Sequence, residues 1–238
     1  MEKIYLFDVD GTLTPPRRPM TSEFHIFFRE WIKKKKVYLV SGSDYDKLQE
    51  QLAQEILKTV TGVFGCMGST FHIGGHSLSR KEFKPTQALL DFLEKKLDHS
   101  RYVLRTGNHI EQRTGMVNFS IVGRNALPAE RGAYHSYDMQ EKERECIAGE
   151  INETFSSLEA TVGGEISIDI YPKGGDKSQI LKHIPLGEYV FFGDKTMPGG
   201  NDHALASALE SQNHQVYPVS TYKETWDILT KQQTKENI

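Results

Sequence analysis

Residues 4–14 read Ile4-Tyr5-Leu6-Phe7-Asp8-Val9-Asp10-Gly11-Thr12-Leu13-Thr14. Four apolar residues run straight into two aspartates one residue apart, and Gly11 then breaks the run. An apolar tract ended by glycine predicts a strand buried on both faces, as inside a parallel sheet. In open parallel sheets, ligands bind just beyond the carboxyl ends of the strands. Two carboxylates at such an end suit a hard divalent cation, because Mg2+ takes oxygen ligands and commonly accompanies phosphate. Asp8 can then attack phosphorus as a carboxylate nucleophile, with the metal offsetting repulsion between anions. Two solvated turn aspartates would account for a bare Asp-x-Asp, but this pattern is longer and follows a buried strand.

The rest of the composition bounds the reading. At 238 residues the chain can form one large domain or two modest ones around a real core. A formal net charge of -3 with 37% hydrophobic residues gives no electrostatic footprint for nucleic acid. The basic block at 33–36 follows an apolar helical pattern and reads as a solvated helix end. No apolar stretch approaches the ~20 residues of a membrane helix, so no membrane partner is expected. Cys66 and Cys146 are far apart and form no Cys-x-x-Cys, which fits a reducing cytoplasm. Met1-Glu2-Lys3 leads directly into the first strand and leaves no room for a signal peptide.

Working outward, strand and helix alternate. Phe24, Phe27, Phe28 and Trp31 recur at helical spacing, and residues 37–40 form a second buried strand ending in Ser41-Gly42-Ser43-Asp44. A hydroxyl there, Ser41 or Ser43, can hydrogen-bond a phosphate oxygen; a plain strand-to-helix turn is the alternative. Leu48, Leu52, Ile56 and Val60 mark one amphipathic helix, and Val63 and Phe64 a third strand before a Gly-rich hairpin at 68–75. The alternation argues for βαβ units and a parallel sheet. Near Lys81 the grammar changes. A helix is expected at 85–97, antiparallel strands at 102–105, 110–112 and 117–122, a long helix at 139–155 and a strand at 165–171. Parallel grammar returns near Lys173, with a helix face at Ile180, Leu181 and Ile184, a buried strand at 189–192 and a last one at 214–219. The polar tail, 231–238, is expected to fray. The expected fold is thus an α/β parallel-sheet core, 1–81 plus 173–238, with an α+β cap inserted at 82–172.

A second acid-glycine loop follows the strand at 189–192: Gly193-Asp194-Lys195-Thr196-Met197-Pro198-Gly199-Gly200-Asn201-Asp202. If that strand neighbours the first, Asp194 comes within reach of a cation held by Asp8. Asn201 and Asp202 can bind metal-bound waters or fix the loop. Lys177, at the start of a helix, can neutralise the nucleophile and the transferring phosphoryl group. Pro15, Pro16 and Pro19 stiffen a loop that either carries Arg17 over the strand ends or leaves a surface basic pair. From Arg101 to Arg131 there are five arginines, two glutamates, no lysine and no aspartate. Arginine grips phosphate through a planar fork, so this bias fits a cap phosphate site; exposed strand arginines are the alternative. Ser167 and Asp169, two apart on a strand, face one side and can reach sugar hydroxyls.

The stretches 8–14 (DVDGTLT), 115–124 (GMVNFSIVGR), 166–177 (ISIDIYPKGGDK) and 191–203 (FFGDKTMPGGNDH) together resemble the eukaryotic-type phosphomannomutases, members of the haloacid-dehalogenase (HAD) superfamily. They span nearly the whole chain in order. The resemblance implies a HAD-like Rossmannoid core, Asp8 as the phosphorylated nucleophile and Asp10 as general acid/base. It implies Mg2+ held by Asp8, the Asp10 main-chain carbonyl and Asp194. Arg17, Arg113, Arg124, Arg131, Ser167 and Asp169 match the positions that grip the phosphosugar. The implied reaction interconverts mannose 6-phosphate and mannose 1-phosphate, as in GDP-mannose biosynthesis, with a hexose 1,6-bisphosphate as intermediate and activator. A cytoplasmic homodimer joined through the cap is also implied. A Mg2+-dependent HAD sugar phosphatase, with water as acceptor, needs the same catalytic residues and is the alternative.

Three places depart from the family pattern. Ser41-Gly42-Ser43-Asp44 replaces Gly-Gly-Ser-Asp, and Cys66-Met67-Gly68-Ser69 stands where the family has Glu-Asn-Gly. Residues 204–210 read as plain helix where relatives carry a further ion-binding loop, so no second cation is expected there.

Overall fold

The computed structural model describes residues 2–236, which form two compact units. The first comprises the chain up to Arg80, Asp176–Pro198 and the chain from Asp202 onward; the second comprises Lys81–Gly175 with Gly199–Asn201.

The first unit opens with β1 (Lys3–Phe7), α1 (Ser22–Ile32), β2 (Lys36–Val40), α2 (Tyr45–Gln51), α3 (Gln54–Thr59) and β3 (Gly62–Gly65). A hairpin follows, β4 (Thr70–Ile73) and β5 (His76–Arg80). Alternation along β1 sends Tyr5 and Phe7 to one face of the sheet, where Phe24, Phe28 and Trp31 of α1 pack on them. Ile4 and Leu6 go to the other face, so both faces of the strand are buried, as its unbroken apolar run requires. Each fully buried aromatic or aliphatic side chain contributes about 1.5–3 kcal/mol.

The second unit contains α4 (Gln87–His99), β6 (Ile110–Arg113), β7 (Met116–Phe119), α5 (Pro128–Glu141), α6 (Glu143–Thr154), β8 (Leu158–Gly163) and β9 (Ser167–Pro172). Its four strands form an antiparallel sheet in the order β6-β7-β9-β8. Val117, Phe119, Ile168 and Ile170 line one face and pack with Leu89, Leu93, Tyr134, Ile147 and Ile151. The register sets Glu111 opposite Asn118, Asn118 opposite Asp169 and Asp169 opposite Thr161, so a polar row crosses the other face.

The chain returns through a 3-10 helix at Lys177–Lys182 to β10 (Glu188–Gly193), α7 (His203–Glu210), β11 (Gln215–Pro218) and α8 (Tyr222–Glu236). The first unit's sheet then has seven strands in the order β11-β10-β1-β2-β3-β4-β5. The pairs from β11 to β3 are parallel and the hairpin is antiparallel. Ile180, Leu205 and Leu209 cover the face opposite α1.

Several local expectations are corrected. Residues 102–105 are not a strand; the Arg105 guanidinium donates to the carbonyls of Tyr102 and Leu104, occupying groups a ladder would need, and to that of Leu97 in α4. The helix expected at 139–155 is α6, joined to the end of a separate, unexpected helix α5 at a left-handed Lys142 with φ 55°. Buried Asp138 holds that joint by accepting from the Arg144 backbone N–H and Nε, both at 2.8 Å. The amphipathic pattern at 48–60 is likewise two helices, α2 and α3, because Leu52 is extended. The tail expected to fray is helical through Glu236, and residues 237–238 lie outside the described residues. Among the described residues, no helix is long and apolar enough to cross a membrane.

Candidate active site

β1 and β10 are adjacent and parallel, with Phe7 paired to Phe192. Their carboxyl ends therefore lie side by side, and the Asp8 backbone N–H donates to the Phe192 carbonyl at 2.9 Å. This brings together the two acid-glycine loops that the sequence keeps far apart. Gly11, at φ +85°, is where they meet: a Cβ there would stand 2.5 Å from Asp194 Oδ2. Any side chain at position 11 would push Asp194 away, so the glycine serves both backbone conformation and close approach.

Lys177 is fully buried, with Nζ 2.5 Å from Asp8 Oδ1 and 2.7 Å from Asp202 Oδ1. An unpaired ammonium at that depth would be prohibitively costly, so the lysine and the two carboxylates hold one another in place. Burial by itself would depress the Lys177 ammonium, but Asp202 and Asp8 outweigh it and raise its pKa. For Asp8, burial dominates in the other direction: despite Lys177, it holds the carboxyl well above the usual range, with Asp202 and Asp194 adding to the rise. Burial is also the main reason that Asp194 is raised to about 6, against a counter-pull from Lys195. Three acids crowded together with one ammonium want further positive charge.

A divalent cation meets that want. Asp8, Asp194 and Asp202 each offer an oxygen, and these lie within 4.8 Å of one another. Asp202 is already engaged at both oxygens, by Lys177 and by the Lys195 backbone N–H at 3.1 Å, so it orients the cluster. Asp8 and Asp194 are the residues that could ligate an ion directly, and an all-oxygen set suits a hard ion. The Asp10 carboxylate is not part of this acidic group.

Asp10 has a different setting. Its Oδ1 accepts from the Arg17 backbone N–H at 2.7 Å and from Gln51 Nε2 at 2.8 Å, and Ser43 Oγ stands 3.5 Å from Oδ2. Arg17, left-handed at φ 57°, thus reaches Asp10 through its main chain. Ser41 is buried at the end of β2, and its Oγ accepts from the Ser43 N–H at 3.0 Å. Gln51 was not foreseen as a site residue. The helical spacing around it was legible, but the break after it, which turns the amide toward Asp10 and Thr14, was not.

The second unit gathers its own cluster. Arg113 donates through Nε (3.0 Å) and Nη2 to Glu111 Oε2, and Arg124 Nε donates to the same oxygen at 3.2 Å. Arg131 is tied to carbonyls, Nε to Ala126 at 2.9 Å and Nη2 to Arg124 at 2.9 Å. Asn118 Nδ2 donates to Asp169 Oδ1 at 2.5 Å, and Ser167 Oγ donates to the Gly163 carbonyl at 3.0 Å. Glu111 and Asn118 were also missed, although strand alternation puts Glu111 on the face of Arg113 and the cross-strand register puts Asn118 beside Asp169. Asn201 groups with this unit, apart from Asp202, which belongs to the first.

Comparison with known proteins follows the same lines. The profile of the family described as eukaryotic phosphomannomutase matches residues 24–231. A phosphomannomutase of Drosophila melanogaster is 35% identical over 244 residues, covering 97% of this chain and 95% of its own length. One from Spinacia oleracea is 35% identical, covering 97% of each. Among solved structures, an N-terminally truncated Plasmodium falciparum IMP-nucleotidase superposes with TM-score 0.67 at 18% identity, covering 96% of this chain and 69% of that one. A trehalose-6-phosphate phosphatase related protein gives TM-score 0.58 at 18% identity, covering 98% of both. These likenesses place the fold among the HAD-like α/β proteins, with the parallel-sheet core and inserted α+β section expected for them. With its match to the family profile and to full-length relatives, the chain belongs to the eukaryotic phosphomannomutase family.

Proposed function

We propose that the protein is a phosphomannomutase that interconverts mannose 6-phosphate and mannose 1-phosphate through a phosphorylated Asp8 and a hexose 1,6-bisphosphate. One observation carries the assignment of roles: two aspartates of a single loop are held in opposite ways. Asp8 is buried against the Lys177 ammonium, while Asp10 Oδ1 is held by two neutral donors, the Arg17 N–H and the Gln51 amide. The first arrangement suits a carboxylate that forms and breaks a bond to phosphorus, and the second a group that exchanges protons.

In the forward half-reaction a hydroxyl of the hexose monophosphate attacks phosphorus on Asp8. The carboxylate oxygen–phosphorus bond breaks as the new ester bond forms, and Asp10 takes the hydroxyl proton. The two short hydrogen bonds to Asp10 both fall on Oδ1, and Oδ2 meets only the longer Ser43 Oγ contact at 3.5 Å, so Oδ2 is the oxygen that carries the proton. In the return half, Asp8 attacks the other phosphate of the bisphosphate, and Asp10 protonates the departing oxygen. Lys177 keeps Asp8 in place and offsets the charge on the transferring group. Mg2+ is the ion we assign to Asp8 and Asp194, with the Asp10 carbonyl as a further ligand and Asp202 and Asn201 in support; it supplies charge neutralisation at phosphorus. Ser41 and Ser43 offer hydroxyls to the phosphoryl oxygens. Arg113, Arg124 and Arg131 hold the phosphate that is not reacting, Arg17 also grips the phosphosugar, and Ser167 and Asp169 hold sugar hydroxyls. The hexose bisphosphate primes Asp8. We place the enzyme in the cytoplasm, as a homodimer joined through the unit at 81–175.

The test supplies mannose 1-phosphate with Mg2+ and a trace of hexose bisphosphate, then quantifies mannose 6-phosphate and free phosphate. Mannose 6-phosphate in large excess is expected. Free phosphate as the main product would make the protein a phosphatase and end the mutase reading.

A further inference from the structure

Glu111 has no part in the chemistry just described, yet it is the point on which two of the phosphate-gripping arginines converge. One oxygen, Oε2, accepts from Nε and Nη2 of Arg113 and from Nε of Arg124. The arginine side chains are only 9% and 10% exposed, and that of Glu111 is 29% exposed. The strand geometry imposes this meeting. Glu111 and Arg113 are two apart on β6 and share a face, while Arg124 arrives from the loop after β7. Arg131 then ties itself to the Arg124 carbonyl, so the carboxylate, directly or through the backbone, organises all three arginines.

Resting on the mutase reading above, we propose that Glu111 is a positioning residue that sets both the direction and the strength of the phosphate grip. Direction comes from the hydrogen bonds: by engaging the Nε edges of Arg113 and Arg124, Glu111 fixes the planes in which the two guanidiniums meet the ligand. Strength comes from charge. Three guanidiniums against a phosphate dianion would hold it tightly, whereas three guanidiniums and one carboxylate sum to only two positive charges. A mutase needs the weaker hold, because its bisphosphate must let go of the arginines, turn around and be gripped by its other end. Affinity changes within one site fall mainly on dissociation rates, so excess grip would appear as slow turnover.

The test separates charge from shape with two conservative variants. Glu111→Gln keeps length and a hydrogen-bonding oxygen but removes the charge. Glu111→Asp keeps the charge but shortens the arm that reaches Arg124. Binding of mannose 6-phosphate is measured by calorimetry on the full chain in Mg2+ without bisphosphate, so that no turnover is needed. Partial exposure of Glu111 screens the effect, so Glu111→Gln is expected to bind about tenfold more tightly, ~1.4 kcal/mol, with KM and kcat both falling. Glu111→Asp is expected to bind several-fold more weakly, with KM rising. Free mannose is the control, and its affinity should not move.

Weaker binding in both variants would reduce Glu111 to a structural support and overturn the proposal, as would an equal gain for free mannose. If Glu111→Gln does not fold, Glu111→Asp still decides: wild-type affinity there removes the positioning role. A wild-type protein that fails to isomerise hexose phosphates would end the mutase reading, while the opposite signs of the two binding shifts would still report on Glu111.

Discussion

Replacing Asp194 with asparagine should stabilise the protein without metal and deprive it of most of what metal adds. Burial raises the Asp194 carboxyl from the ordinary 3.8 to about 6. A carboxyl whose folded pKa is raised favours the folded state fully below pH 3.8, and that advantage disappears as pH rises through about 6. At pH 7.5 the gap costs about 3 kcal/mol, at 1.36 kcal/mol per pH unit, and roughly half of this is already present at pH 5. Asp194 shares its field with Asp8 and Asp202, so about 1.5–3 kcal/mol is the range to expect from the single change. For a chain of this length that is about 3–10 °C in Tm. Melts followed by circular dichroism in chelator, at pH 5 and 7.5, measure it. The asparagine variant should melt higher than wild type, with the larger gap at pH 7.5. Saturating Mg2+ should then favour wild type, since an ion at a hundred times its Kd adds about 2.7 kcal/mol. An asparagine variant that is less stable than wild type in chelator at pH 7.5 would refute the electrostatic argument.

Other outcomes follow from the same geometry. Asp8→Asn should abolish turnover while leaving the circular dichroism spectrum intact, because Lys177 keeps Asp202 as its partner; near-normal turnover would end the nucleophile assignment. Gln51→Leu removes one of the two donors to Asp10 Oδ1 and should lower kcat about tenfold with KM little changed, the size expected for one lost hydrogen bond to a charged group. A rise in KM alone would place Gln51 in substrate binding instead. Arg124→Ala should lower kcat/KM for mannose 1-phosphate about ten- to hundredfold, from a charge-assisted contact of about 1.5–3 kcal/mol. Hydrolysis of a small phosphoester should change far less, and free bisphosphate should accumulate; equal losses on both substrates would make the arginine structural.

The legible parts of the site were those that leave a local trace. Asp8, Asp10 and Asp194 each follow an apolar strand and accompany a glycine, and that juxtaposition is visible in one dimension. Lys177 could be placed by its order in the chain, but its burial between Asp8 and Asp202 could not, because it depends on contacts 169 and 25 residues away. Gln51 sits in a helical pattern that runs through the break at Leu52, so periodicity concealed the one residue that turns inward. Glu111 looked like one of two acids among five arginines; its spacing put Arg113 on the same strand face, but only the fold brings Arg124 to the same oxygen. α5 escaped notice because tertiary packing, more than an apolar stripe, defines it: its buried side chains are Tyr134 and the charged Asp138.

The pairing of β1 with β10 also bears on how the molecule is made. During synthesis β1 leaves the ribosome well before its partner, because the strand that lies beside it emerges some 180 residues later. At bacterial-to-eukaryotic elongation speeds of about 5–20 residues per second, Asp8 waits roughly ten to forty seconds for Lys177 and Asp194. During that interval β2, β3 and the hairpin can assemble on one side of β1, while its other edge stays unpaired and open to any passing strand. The unit at 81–175 can fold in the same interval from contacts local to itself. The nascent chain is therefore most vulnerable to aggregation just before its catalytic centre closes, and a factor that shields the β1 edge should raise the yield of soluble protein more than one that acts on the released chain.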